Sequence, residues 1–147
     1  MRPRGKGRAT TVVGLLLCAA AGLWDAAPAS AIPPPPPRPQ VVLDLRPDGS
    51  ERIVEDEVRA YQYVPLSFHA SAGDELLLSM ATGEHPLVLD LEAPSGLRWI
   101  VGASPGPDGM RLRMMETGVH RLYVVMSSDA ARAGRTAGFR LGLRLRR

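Results

Sequence analysis

The closing residues "GFRLGLRLRR", Gly138 to Arg147, constrain the fold more than any other stretch. Leu141, Leu143 and Leu145 alternate with Arg140, Arg144 and Arg146. A period of two is what a strand with one buried and one wet face requires. On a helix the same leucines would spread around the circumference and take arginines into the core with them. Leu122, Val124 and Met126 repeat the pattern one segment earlier. Past the first thirty residues no stretch holds an apolar stripe at helical spacing, so no amphipathic helix is expected.

The same kind of run recurs along the chain. "QVVLDL" stops at "RPDGS", "ERIVEDEV" leads into "RAYQYVPLSFHA", and "SAGD" turns the chain into "ELLLSMA". "LVLDLEA", "LRWIV", "MRLRMM" and "VHRLYVVM" follow, separated by Gly, Pro and Asp clusters. Short strands with turn signals at near-regular spacing predict an all-β fold, an antiparallel β-sandwich of jelly-roll type with about eight strands.

The N-terminal residues stand apart. Arg2, Arg4, Lys6 and Arg8 form a positive region, Val12 to Ala21 an apolar one, and "APASA" ends in a small-x-small pattern at Ala31. This is the signature of a secretory signal peptide over 1–31. Its apolar core is shorter than the ~20 residues of a membrane span, so no span is expected once it is cleaved. Leu17 before Cys18 argues against a lipid anchor. "IPPPPPRPQ", residues 32–40, reads as a stiff polyproline spacer, which leaves 41–147 for the sandwich. The expected location is the periplasm or the exterior.

Cleavage changes the charge balance. The leader holds four of the 18 basic and one of the 15 acidic residues, so the remainder carries fourteen of each sign. That balance gives no basic excess for a nucleic-acid partner. The only cysteine, Cys18, leaves with the leader, so about 105 residues are held by burial alone, enough for one modest core.

Chemistry-bearing residues are sparse. His69, His85 and His120, with Met80, Met110, Met114, Met115 and Met126, lie on separate runs without ligand spacing, so the methionines read as core and no metal site or cofactor is assigned. His120 shares the parity of Leu122 and Val124 and is expected at the inner edge of the sandwich. Glu55, Asp56 and Glu57 lack the spaced oxygens of a calcium loop and read as a solvated strand connection. Asp48 and Asp108 read as turn formers. No nucleophile elbow, zinc-protease motif or phosphate loop occurs, so no catalytic residue is assigned and a non-enzymatic role is expected.

One loop breaks the rhythm. In "MSSDAARAGRTAGF", Met126 to Phe139, about ten small and basic residues separate two strands. Ser128 or Asp129 would cap a single helical turn that Gly134 ends. Arg132 and Arg135, with Asp129 beside them, are the candidate partner-binding residues. Among Ala, Gly, Ser and Thr their guanidinium groups project freely, and a guanidinium fork matches a carboxylate with two parallel hydrogen bonds.

Two resemblances rest on these motifs. "RAYQYVPLSFHASAGDELLLSM", "VLDLEAPSG", "METGVHRLYVVM" and "FRLGLRL" together resemble the bacterial pre-peptidase C-terminal β-sandwich over about Val58 to Leu145. "VVMSSDAARAGRTAGFRLGL" is similar to the closing strand, loop and strand of periplasmic inhibitors of g-type lysozyme. Met126, Ala131, Arg132 and Ala137 match that pattern with one extra loop residue, and Phe139 replaces a tyrosine. Ser127 and Ala133 stand where the family has two further arginines, and Arg135 is no residue-for-residue substitute. The second resemblance implies a protein partner, a g-type lysozyme or another envelope protein. The first implies an accessory module binding glycan or an envelope protein. Trp99, Tyr61 and Tyr63 would discriminate: on one open surface they would favour glycan.

Overall fold

The computed structural model describes residues 37–83, 86–103 and 108–147. The leader and most of the proline run lie outside these residues, as does His85. The described residues form nine strands and one short helix: β1 Val41–Leu43, β2 Asp48–Arg59, β3 Tyr63–Ala70, β4 Glu75–Thr82, β5 Leu87–Glu92, β6 Arg98–Ala103, β7 Met110–Arg113, β8 Gly118–Met126, α1 Ser128–Arg132 and β9 Thr136–Arg146. One sheet has the order β1-β3-β8-β5-β6 and the other β2-β9-β4-β7. The fold is an all-β sandwich.

Alternation builds the core. Ala137, Phe139, Leu141, Leu143 and Leu145 of β9 are buried, while Arg140, Arg144 and Arg146 point to solvent. They meet Leu66 and Phe68 of β3, Leu76 and Leu78 of β4, Leu87, Leu89 and Leu91 of β5, and Leu122 and Val124 of β8 in one cluster. Each fully buried leucine contributes about 1.5–3 kcal/mol. Met80, Met114 and Met126 belong to this core, whereas Met115, the next residue on the opposite parity, is 76% exposed.

Three local expectations are revised. The strand pairs are not all antiparallel, because β1 runs parallel to β3, with Val41 opposite Leu66. A parallel pair needs a crossover of a dozen or so residues, and β2, lying in the other sheet, supplies it. "RPDGS" does not fully separate two runs. β2 begins at Asp48, with Gly49 at φ +80° and a register shift between Asp48 and Glu51, so the turn is absorbed as a bulge. Tyr61 does not share a strand with Tyr63. The chain turns at Ala60, φ +49°, and β3 starts only at Tyr63.

Glu55, Asp56 and Glu57 lie exposed on β2, an edge strand, where charge discourages pairing with other chains. Arg140 Nη1 stands 3.4 Å from Glu55 Oε1. At the end of the proline run, Arg38 Nη1 donates to the Glu57 carbonyl at 2.7 Å and lies 3.3 Å from Asp56 Oδ2.

His120 is 1% exposed on the inner face of β8. Its ring stacks on Phe68 with centroids 5.6 Å apart, and Nδ1 donates to the Gly118 carbonyl at 3.2 Å. Burial lowers its pKa below 6.5. The Gly118 hydrogen bond and Glu116 pull it back up, and His69 adds to the lowering.

Two outcomes follow from this core. Leu143→Ala should cost about 2–5 kcal/mol in denaturant unfolding, because the cavity sits where both sheets face it. Between the lowered pKa of His120 and 6.5 the unfolded chain binds more protons than the folded one, so the His120 contribution to stability should fall as pH drops through that window. His120→Gln should flatten this part of the slope, and an unchanged slope in chemical denaturation would remove His120 as its source.

Candidate functional site: the rim loop

Helix α1 occupies the middle of the long loop between β8 and β9. Its first residue follows Ser127, which has extended backbone at φ −57°, ψ 148° and makes no side-chain cap bond. The cap is therefore Ser127 rather than Ser128 or Asp129, whose backbones are already helical. Asp129 lies in the first turn and Arg132 in the last, the signs that suit the peptide dipoles at each end.

The C-terminus is closed by a pair of backbone bonds. Gly134 N–H donates to the Ala131 carbonyl at 3.0 Å, and Arg135 N–H donates to the Ala130 carbonyl at 3.1 Å. This is the Schellman arrangement, which needs a left-handed residue just past the helix, and Gly134 has φ +66°. Ala131 is buried and ties the turn to the core.

Neighbouring segments hold the loop from both sides. Ser127 N–H donates to the Pro86 carbonyl at 3.2 Å, and Ala60 N–H donates to the Arg135 carbonyl at 2.8 Å. Ala60 bears left-handed backbone without being glycine, a local strain maintained by that hydrogen bond and the β2–β9 ladder. The loop is thus hydrogen-bonded to the body of the sandwich at both ends.

On this frame Asp129, Arg132 and Arg135 are all exposed. None of the three forms an ion pair or a side-chain hydrogen bond among the described residues. Desolvating such groups in a complex breaks no internal bond. The fold adds a third cation that the loop sequence does not contain. Arg59, exposed at the end of β2, stands directly opposite Thr136, the residue after Arg135. It too has no ion pair among the described residues. Tyr61, 51% exposed, follows in the turn that Ala60 fastens to Arg135. Arginine and tyrosine are, with tryptophan, the side chains enriched among those that dominate binding energy at protein interfaces. Arg59 was missed because its place depends on a register between residues 77 apart in sequence, and only its position at the end of a polar strand hinted at a rim.

The aromatic residues divide. Trp99, opposite Leu91, packs partly buried against the core. Tyr63 lies on the outer face of the first sheet, edge-on to Tyr123 at 5.7 Å, and Tyr61 sits in the turn. They do not form one open platform. Around Tyr123 the polar groups satisfy each other: Arg98 Nη2 is 2.6 Å from Asp90 Oδ2, Arg121 Nη1 is 2.8 Å from Glu92 Oε1, and the Tyr123 hydroxyl donates to Glu92 Oε2 at 3.3 Å. Burial and the neighbouring Glu92 raise the Tyr123 pKa. Among the described residues no group of three or more His, Cys, Asp and Glu is placed to hold a metal ion, and no helix is long and apolar enough to cross a membrane.

No family model and no curated protein matches the sequence. Solved structures do match. The periplasmic inhibitor of g-type lysozyme from Aeromonas hydrophila superposes with a TM-score of 0.61 at 14% identity, covering 73% of this chain and 96% of its own. A mutant of the periplasmic g-type lysozyme inhibitor from Escherichia coli gives 0.60 at 18% identity, over 73% and 97%. The Salmonella Typhimurium inhibitor gives 0.58 at 14%, over 73% and 97%. At these identities the likeness is one of fold, and it spans nearly the whole of each inhibitor.

Gly134→Ala tests whether the loop is rigid. Beyond its chain neighbours no heavy atom of the described residues lies within 4 Å of the added methyl, so its effect is conformational. It should cost about 1 kcal/mol and raise amide exchange at Arg135 and Ala60. Unchanged exchange would show that the Schellman closure does not hold the rim.

Proposed function

We propose that this chain is an exported, non-catalytic protein-binding domain that inhibits a g-type lysozyme by placing the 127–136 loop in its active-site cleft. The leader 1–31 would direct it to the periplasm, and 32–40 would link it to the domain 41–147. The observation that carries this reading is the pair of unpaired guanidinium groups, Arg132 and Arg135, on a hydrogen-bonded rim loop of a fold shared with periplasmic lysozyme inhibitors.

Glycoside hydrolases work with paired carboxyl groups in a cleft. A hydrogen-bonded loop presenting two guanidinium groups complements such a cleft in charge, and a loop already ordered before docking loses less entropy on binding. Arg132 and Arg135 would donate to the carboxylates, Asp129 would meet a cation at the cleft margin, and Arg59 and Tyr61 would extend the contact along the rim. Arg59 also restores a third cation to a surface whose loop departs from the inhibitors' arginine pattern at Ser127 and Ala133.

The test is residual g-type lysozyme activity titrated with the purified protein. Inhibition should saturate, and Arg132→Ala or Arg135→Ala should weaken it by about 2 kcal/mol or more, roughly thirty-fold in Kd. Arg59→Ala should have a smaller effect, and added salt should slow association. A folded protein that leaves the enzyme untouched would reject the reading and favour the alternative, an accessory module of the pre-peptidase type that binds glycan or an envelope protein.

A further inference from the structure

We propose a second binding site, independent of the rim: a cleft on the outer face of the β2-β9-β4-β7 sheet that takes a small zwitterion, a molecule of amino-acid size with one carboxylate and one ammonium group. The cavity has a volume of about 160 Å³ and is lined by Glu51, Ser79, Asp108, Arg111, Gly142 and Arg144, among others. A closed cavity near 150 Å³ holds a molecule of benzene size, so the space suits about six heavy atoms.

The floor is a missing side chain. Gly142 lies in the interior of β9, opposite Ile53 of β2 and Ser79 of β4. A glycine weakens a strand, and its presence inside one often marks the close approach of another group. A Cβ at this position would lie 2.6 Å from Ser79 Oγ and 2.8 Å from Glu51 Oε1. Both atoms are therefore aimed at the space that the glycine leaves. The bulge between Asp48 and Glu51 resets the register of β2 at Glu51, and bulges commonly re-aim a side chain beside a site. The Ser79 hydroxyl makes no hydrogen bond among the described residues.

The walls carry both signs. Arg144 on β9 and Arg111 on β7 stand on either side of Leu77 of β4, two strand spacings or roughly 10 Å apart. Arg144 Nη2 is 3.2 Å from Glu51 Oε1, and Arg111 Nη1 is 3.9 Å from Glu75 Oε1. Asp108 is brought to the edge by Gly109, whose φ is +73° and whose Cβ would lie 2.8 Å from the Leu78 carbonyl oxygen. The lining thus offers two guanidinium groups and two carboxylates.

That balance selects the ligand. A lone anion would compete with Glu51 for Arg144, and a lone cation would compete with Arg144 for Glu51. A zwitterion replaces what it disturbs: its carboxylate bridges Arg111 and Arg144, its ammonium group meets Glu51 and Asp108, and Ser79 accepts or donates at the floor. The charged walls are partly exposed and screened, so weak binding is expected, with a Kd on the order of 1 mM.

The measurement is a proton–nitrogen correlation spectrum of the purified protein titrated with glycine, L-alanine and D-alanine to about 20 mM, well above that Kd. Acetate and methylammonium serve as single-charge controls. Saturable shifts are expected at the amides of Ser79, Asp108 and Gly142 with at least one amino acid, and at least tenfold weaker responses with the controls. Gly142→Ala should abolish them while leaving the rest of the spectrum in place, since the methyl is relieved by a χ1 change at Ser79 and a shift of the flexible Glu51 carboxylate, and alanine suits a strand better than glycine. Arg144→Gln should do the same by removing a wall. No saturable shift with any amino acid, an equal response to acetate, or shifts that persist in both variants would overturn the assignment. Lysozyme inhibition has no bearing on any of these results.

Discussion

The second sheet depends on β9. It is the strand paired on both sides over most of its length, to β2 across Thr136 to Arg146 and to β4 across Phe139 to Arg146. Its inward leucines fix which face is buried, and a slip of one residue would exchange leucines for arginines in the core. That penalty locks the register. Because the register is locked, the residue before β9 has one position, and so has the glycine at its centre. The rim loop and the outer cleft are both consequences of the same hydrophobic alternation.

The rim shows how such a constraint becomes a surface. A ten-residue loop on a mobile tether would lose much of its binding energy to ordering. Here the ordering cost is met during folding. Ala131 is buried, the Schellman bonds end the helix, and Ala60 holds the Arg135 carbonyl from the turn after β2. The left-handed backbone at Ala60 makes the turn that brings Arg59 and Tyr61 beside the loop.

Much of this was legible in the sequence, and the boundary has a physical meaning. Period-two alternation gave the strands, their buried faces and the sandwich, because side-chain parity is a local property. His120 could be placed inward on parity alone, and Gly134 could be read as the end of a helical turn. Long-range pairing was not legible. Nothing near Arg59 states that it faces Thr136, and nothing near Gly142 states that Ser79 and Glu51 converge on it. The parallel β1–β3 pair was hidden for the same reason: Val41–Leu43 is too short to show a pattern, and its partner lies beyond a strand of the opposite sheet. Ser127, Ser128 and Asp129 are about equally good capping residues, so side-chain preference does not choose among them, and only the backbone geometry places the cap at Ser127.

The two surfaces lie along one strand, and their separation determines how they could influence each other. Gly142 is six residues from Thr136, roughly 20 Å at strand rise, so a small ligand in the cleft would not reach a protein docked at the rim. Coupling would have to pass through β9 itself. A strand held by two ladders and a buried row of leucines has no second register within reach, and energetic coupling needs an element with two arrangements. The same rigidity that presents the arginines at the rim therefore isolates them from the cleft. On this reading the two proposed surfaces would act separately.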